Sequence, residues 1–197
     1  MSSTNRTNSA DRHKYDYYVT PQKPILQFLN CFSKYENVFK NPNTKILDCC
    51  CGGDELHEAS YPVAIRNIYG NVDMDLYDIR EDSKADFKED YLLADTKDKY
   101  DVIITNPPFD LSYDIIKKAL DDVKMGGFVI MLLRLNYFGG KVRSNLWKEH
   151  MPKYCFVHNK RISFTDNGKT DSIEYCHMVW QKGYKPEFTD LQVIVDE

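Results

Sequence analysis

Residues 101–110, DVIITNPPFD, decide how this chain is read. Val102, Ile103, Ile104 and Thr105 are β-favouring and predict a buried strand. The strand runs into Asn106, Pro107, Pro108 and Phe109. Proline has no N–H and a fixed φ, so neither a central strand nor a helix gains stability from such a pair. A solvated turn is more simply made with Asn-Gly or Pro-Asp-Gly. Pro108 forces Pro107 into an extended conformation, and Pro107 does the same to Asn106. The product is a stiff arm that directs two acceptors, the Asn106 amide oxygen and the Pro107 carbonyl, at one point. An NH2 group with two hydrogens to give suits that pair, and Phe109 offers a flat face to a planar ring.

The flanking sequence gives this arm a scaffold. TPQKPILQFLNCFSKYENVF places Ile25, Leu26, Phe28, Leu29 and Phe32 at helical spacing, with Pro21 or Pro24 in the first turn and NPNTK as the break. KILDCC predicts a short buried strand ending at a Gly-Gly turn. Asp54 is expected to cap a helix carrying Val63, Ile65 and Ile68 up to Gly70. VDMDLYDI predicts a second strand and ADFKEDYL a less regular third. After the prolines, Ile115, Ile116, Ala119, Leu120 and Val123 give an amphipathic helix, and GGFVIMLLRL is a near-continuous apolar strand. KYCFVHN, RISFT and SIEYCHMVWQK are strand-like and close together, which predicts an antiparallel addition at the sheet edge. Apolar strands alternating with amphipathic helices specify an α/β fold whose mostly parallel sheet is covered on both faces.

Open parallel sheets bind ligands beyond the carboxyl ends of their strands, so those ends are where chemistry is sought. The first strand ends in DCCCGGDE, where Gly52 and Gly53 permit a tight turn and Asp48 can hold a cationic or hydroxyl group. Neither GxGxxG nor a Walker lysine is present, so a phosphate-cradling loop is a poor match. The second strand ends in LYDIRED, where Asp78 is placed to hold ribose hydroxyls. In KEDYL, Asp90 can accept from an exocyclic ring amine, and Tyr91 or Leu92 can cover the ring.

These motifs together resemble the S-adenosylmethionine-dependent amino-methyltransferases, above all the adenine-N6 DNA methyltransferases and their small phage and prophage members. NPPF resembles the family's catalytic motif, ILDCCCGGDE its glycine-containing cofactor motif, and YDYYVTPQKP the motif that holds the methionine end of the cofactor. RISFTDNGKTDSIEYCHMVWQKG resembles a C-terminal segment of the phage members. The resemblance implies a class I methyltransferase Rossmann-like fold with a seven-stranded sheet and an antiparallel C-terminal hairpin. It implies S-adenosyl-L-methionine as cofactor, bound by Tyr18, Thr20, Pro21, Asp48, Cys50, Gly52, Asp78, Ile79, Asp90, Tyr91 and Asn106. Asn106, Pro107, Pro108 and Phe109 would be catalytic, acting on an adenine flipped out of its stack. RNA amino-methylation, at adenine N6 or guanine N2, uses the same arm and stays open. Protein-glutamine methyltransferases usually carry Tyr after the two prolines, and a non-catalytic partner would not need Asp48, Asp78, Asp90 and Asn106 intact.

Composition sets the remaining bounds. The chain has 197 residues, 42% hydrophobic and 28% charged, enough for a core and ordinary for a globular protein. Residues 1–14 are polar without an apolar run and read as a disordered tail, leaving residues 15–197 as a single catalytic domain without a separate target-recognition domain. A cytoplasmic location, in a bacterium or a phage-infected host, is the expectation. The six cysteines include no CxxC pair and no histidine at zinc-finger spacing, so no metal site is expected. Net charge is −4, but residues 72–101 hold eleven acids against five bases and residues 134–169 hold eight bases against two acids. The basic segment can face a polyanion, with Lys141, Arg143, Lys148, Lys160 and Arg161 as phosphate contacts and Tyr137 and Phe138, on the loop NYFGGKVRS, as stacking or wedging rings. A specificity partner or a homodimer is compatible with this reading.

Overall fold

The structure is a computed structural model that describes residues 18–164, 170 and 172–196. The expected 1–14 tail and residues 15–17 of the tyrosine-rich motif lie outside the described residues. Seven strands form one sheet: β1 (Lys45–Asp48), β2 (Asp73–Leu76), β3 (Val102–Thr105), β4 (Phe128–Arg134), β5 (Tyr154–His158), β6 (Tyr175–Gln181) and β7 (Asp190–Ile194), in the order β2-β1-β3-β4-β6-β5-β7. The pairs β2–β1, β1–β3, β3–β4 and β5–β7 are parallel, whereas β6 runs antiparallel to both β4 and β5. β6 alone therefore opposes the common strand direction, and the expected α/β sheet with an antiparallel C-terminal pair is present.

Both faces of the sheet are covered, as the apolar strands require. Along β4, Val129, Met131 and Leu133 enter one core with Ile115, Ile116 and Ala119 of α3 (Ser112–Asp122) and Leu146 of α4 (Ser144–Glu149). Phe128 and Ile130 point the other way, onto Ile25, Phe28, Leu29 and Phe32 of α1 (Gln22–Phe32) and Ala64 and Ile65 of α2 (Ser60–Tyr69). Period-two alternation with apolar residues at every position leaves neither face for solvent.

Three local expectations are corrected. ADFKEDYL forms only a single bridge, Tyr77 with Phe87, because Leu76 O takes the N–H of both Asp86 and Phe87 and the acids beyond turn outward. Asp54 does not cap α2: its Oδ1 accepts from the N–H of Leu56 and His57 (both 2.8 Å) and closes a local turn, and the helix starts later, after Ala59. The described part of RISFT, residues 161–164, is not a strand. β7 was not anticipated, and it extends the sheet beyond β5.

Candidate functional site

The carboxyl ends of β1, β2 and β3 converge on a cleft of about 870 Å3 that opens to solvent. Its floor is the turn after β1, where Gly52 and Gly53 take φ of 67° and 75°. A Cβ on Gly53 would also sit 2.5 Å from Lys84 Cγ and 3.1 Å from the Ala59 nitrogen, so only glycine fits. The turn is tied to the end of β2: Cys51 N–H donates to Tyr77 O and Gly52 N–H to Asp78 Oδ2, both at 2.9 Å. Asp78 Oδ1 accepts the Arg80 N–H, and the buried Arg80 side chain donates from Nη2 to Gly53 O (2.6 Å) with Nε 3.4 Å from Asp78 Oδ1. Arg80 thus clamps the glycine turn to the β2 acid. The sequence reading passed over it because Gly53 lies far from it in the chain.

Of the residues expected to hold a cofactor, the cleft is lined by Tyr18, Thr20, Cys50, Gly52, Asp78, Ile79, Asp90, Tyr91 and Asn106; Pro21 and Asp48 do not line it. Pro21 borders a neighbouring cleft instead. Asp48 is buried behind the turn, with Oδ1 accepting from Cys50 N–H at 3.3 Å and Oδ2 without a partner among the described residues. Burial pushes its pKa up to about 7; the nearby Thr105 hydroxyl and the Cys50 N–H hold the rise back, although Thr105 makes no well-formed hydrogen bond. Two thiols of the turn, Cys50 and Cys51, are pushed toward the protonated form. Cys50 is raised well above its ordinary range, first by the Cys49 thiol and then by burial; Cys51 is raised by burial, then by Asp48 and Asp78.

At the end of β3, Asn106 and Pro108 line the cleft while Pro107 is buried behind them. Asn106 Nδ2 donates to the buried Thr20 hydroxyl at 3.0 Å, and its Oδ1, itself buried, has no partner among the described residues. The amide is therefore held by its nitrogen with its oxygen unsatisfied. Phe109 does not present a bare ring. The guanidinium of Arg134, at the end of β4, lies 4.2 Å from its centroid, and Tyr175 packs at 6.2 Å. Arg134 Nε is buried with no partner among the described residues, and the sequence showed this arginine only as one charge in a basic segment.

The expected nucleic-acid residues divide. Tyr137 is 7% exposed, its hydroxyl 3.2 Å from that of Ser112, so it is part of the core and is not free to stack; that expectation is corrected. Arg143 covers the Tyr137 ring and donates to Tyr137 O (2.8 Å) and Gly139 O (3.1 Å), which folds the loop. Lys160 pairs with Asp196 at 2.8 Å and Arg161 with Glu174 at 3.2 Å. Lys141, Lys148 and Phe138 are exposed. Among the described residues no cluster of three or more His, Cys, Asp or Glu could hold a metal ion, and no helix is long and apolar enough to cross a membrane.

A buried chain behind the cleft was also unforeseen. Tyr61, which lines the cleft, lies 2.9 Å from His177 Nε2, and His177 Nδ1 lies 2.9 Å from His158 Nε2. Burial lowers the His158 pKa to about 4 and that of His177 well below its ordinary value. Unfolded histidine takes a proton below pH ~6.5, so both groups make stability fall as pH drops from there toward 4. Asp48 acts oppositely: between pH ~4, the unfolded carboxyl's value, and 7 only the native state keeps its proton, so stability falls as pH rises. Asp48→Asn removes that opposing term. Urea unfolding is expected to show stability rising with pH more steeply in the variant, by up to about 1.4 kcal/mol per unit between pH 4 and 7.

No protein-family model and no curated protein sequence matches the chain. Solved structures do match in fold. A Listeria monocytogenes protein assigned as a class I S-adenosylmethionine-dependent methyltransferase superimposes with a TM-score of 0.66 at 16% identity, over 90% of this chain and 66% of its own. A Pyrococcus horikoshii protein assigned as an RNA methyltransferase gives 0.61 at 14% identity, over 87% of this chain and 91% of its own. The M protein of the type I restriction enzyme EcoKI gives 0.58 at 12% identity, over 85% of this chain and 44% of its own. The chain thus spans just under two thirds of the Listeria protein and less than half of the EcoKI one. The fold is the Rossmann-like fold of class I methyltransferases.

Proposed function

We propose that the chain is an S-adenosylmethionine-dependent methyltransferase that methylates the exocyclic N6 amine of adenine in DNA. The observation that carries this reading is the Asn106 amide, pinned through Nδ2 to Thr20 with Oδ1 unsatisfied at the cleft. A buried acceptor without a donor is costly to keep, and an incoming N–H satisfies it.

The cleft residues fit the cofactor. Each Asp78 oxygen already accepts one backbone N–H and keeps a further lone pair for the ribose hydroxyls. Asp90 uses Oδ1 for Leu92 N–H, leaving Oδ2 for the adenine amine of the cofactor. Ile79, half-exposed at the rim, and Leu92 cover the faces of that ring. Tyr18 and Thr20 stand at the methionine end, and the Gly52 and Gly53 backbone permits close approach. When bound, S-adenosylmethionine supplies an electrophilic methyl group on sulfur.

Asn106 Oδ1 and the Pro107 carbonyl accept the two hydrogens of the target amine. Its lone pair, otherwise delocalised into the ring, becomes localised on a pyramidal nitrogen. These fixed dipoles meet the positive charge that develops during attack, and the stiff Pro107–Pro108 arm keeps them in line. Arg134, stacked on Phe109, is placed for the target nucleotide's base or phosphate, and the exposed Lys141 and Lys148 for the backbone. RNA is the second reading, favoured by the Pyrococcus likeness and because guanine N2 or adenine N6 meets the same acceptors. Labelled methyl transfer to duplex DNA, single-stranded DNA, RNA and protein, followed by nucleoside analysis, tests both. N6-methyladenine in DNA is the expected product; label in RNA alone selects the second reading, and label in protein alone, or in none of the four, rejects both.

A further inference from the structure

We propose that β7 is the pairing edge of a two-fold dimer, joining the sheets of two copies of this chain. β7 is the last strand in the sheet order, and beyond it no described residue pairs. Its main-chain polarity follows from two bonds on the β5 side: Asp190 N–H donates to Lys153 O at 3.0 Å, and Ile194 O accepts from Asn159 N–H at 3.1 Å. Residues 190, 192 and 194 thus spend their main-chain groups on β5, and alternation turns those of Leu191, Val193 and Val195 outward.

The same three residues also share a side-chain face. Ile194 is 4% exposed and enters the core with α1, whereas Leu191, Val193 and Val195 are 56%, 55% and 62% exposed. A free edge carrying an apolar row is what monomeric sheet proteins avoid with charges, prolines or bulges. None of these three positions carries such a device.

The row is self-complementary. An antiparallel copy placed with its two-fold axis at Val193 sets Val193 against Val193 and Leu191 against Val195. Every outward N–H and C=O of these residues then finds a partner, and one face gains a continuous apolar ladder. Charge selects a second copy over an arbitrary strand. In this register Asp190 meets the Asp196 position of the other copy, where Lys23 Nζ (2.6 Å) and Lys160 Nζ (2.8 Å) flank a single carboxylate. That cluster carries a net positive charge, and the approaching Asp190 neutralises it. Both ends of the paired strands are matched in this way, as a closed isologous interface requires.

Sedimentation velocity on the full chain at about 50 µM, above a micromolar Kd, is expected to give twice the chain mass. Val193→Lys sets like charges face to face at the axis and is expected to give a monomer that still unfolds cooperatively, with a melting temperature matching that of the parent diluted below its Kd. Val193→Cys tests the register: directly opposed residues in a hydrogen-bonded pair have Cα atoms about 5.5 Å apart, within disulfide reach. Mild oxidation should link these copies, and Gln192→Cys copies should stay unlinked. A wild-type chain that stays monomeric overturns the proposal, as does a dimer that survives Val193→Lys or fails to cross-link through Val193→Cys.

Discussion

Asn106→Ala is expected to lower methyl transfer by about 10²–10³-fold, the usual effect of deleting one preorganised polar group at a reacting centre. Cofactor affinity should stay within a few-fold, because in the proposed binding mode the ribose and ring would be held by Asp78, Ile79, Asp90 and Leu92 rather than by Asn106. The fold should also survive. The lost bond to Thr20 is a single one at the cleft wall, and the buried, unsatisfied Oδ1 is removed with it. Single-turnover transfer alongside calorimetric cofactor titration separates the two effects. Undiminished transfer by the alanine variant would remove Asn106 from the mechanism.

Arg80→Met is expected to cost about 3–5 kcal/mol of stability, the range for breaking one side of a buried ion pair. Arg80 is 5% exposed and Asp78 8%, so water cannot replace the guanidinium. Asp78 would remain buried, holding the N–H groups of Gly52 and Arg80 without its cation, and Gly53 O would lose its donor. Arg80→Lys should recover only part of the loss, since an ammonium lacks the fork that spans both acceptors. The measurement is urea unfolding together with cofactor binding, and both should weaken. A variant as stable as the parent would show that the glycine turn does not depend on this clamp.

The features legible in the sequence were those whose cause is local. The stiffness of Asn106–Pro107–Pro108 is a property of adjacent residues, and Asn106 and Pro108 stand at the cleft wall. The both-faces-buried pattern of β3 and β4 is likewise local, and it specified the parallel sheet. What escaped notice depends on partners distant in sequence. The His158, His177 and Tyr61 chain joins residues 19 and 116 positions apart, so no spacing announces it. Tyr137, expected as a stacking ring on the loop NYFGGKVRS, is buried with Arg143 folded back over it. β7 went unassigned, because its strand character comes from pairing with β5, more than thirty residues away in the chain.

The three thiols beside the glycine turn acquire a meaning once a methylating agent is placed next to them. A sulfonium methyl is an alkylator, and a thiolate is a better nucleophile than any aromatic amine. Cys50 and Cys51, which line the cleft, would therefore be the first groups to be alkylated if they ionised. For Cys50 and Cys51, burial, the Cys49 thiol beside Cys50, and the carboxylates of Asp48 and Asp78 all act against ionisation. In the proposed enzyme, the acids beside the turn would keep this pocket from consuming its own reagent and inactivating itself.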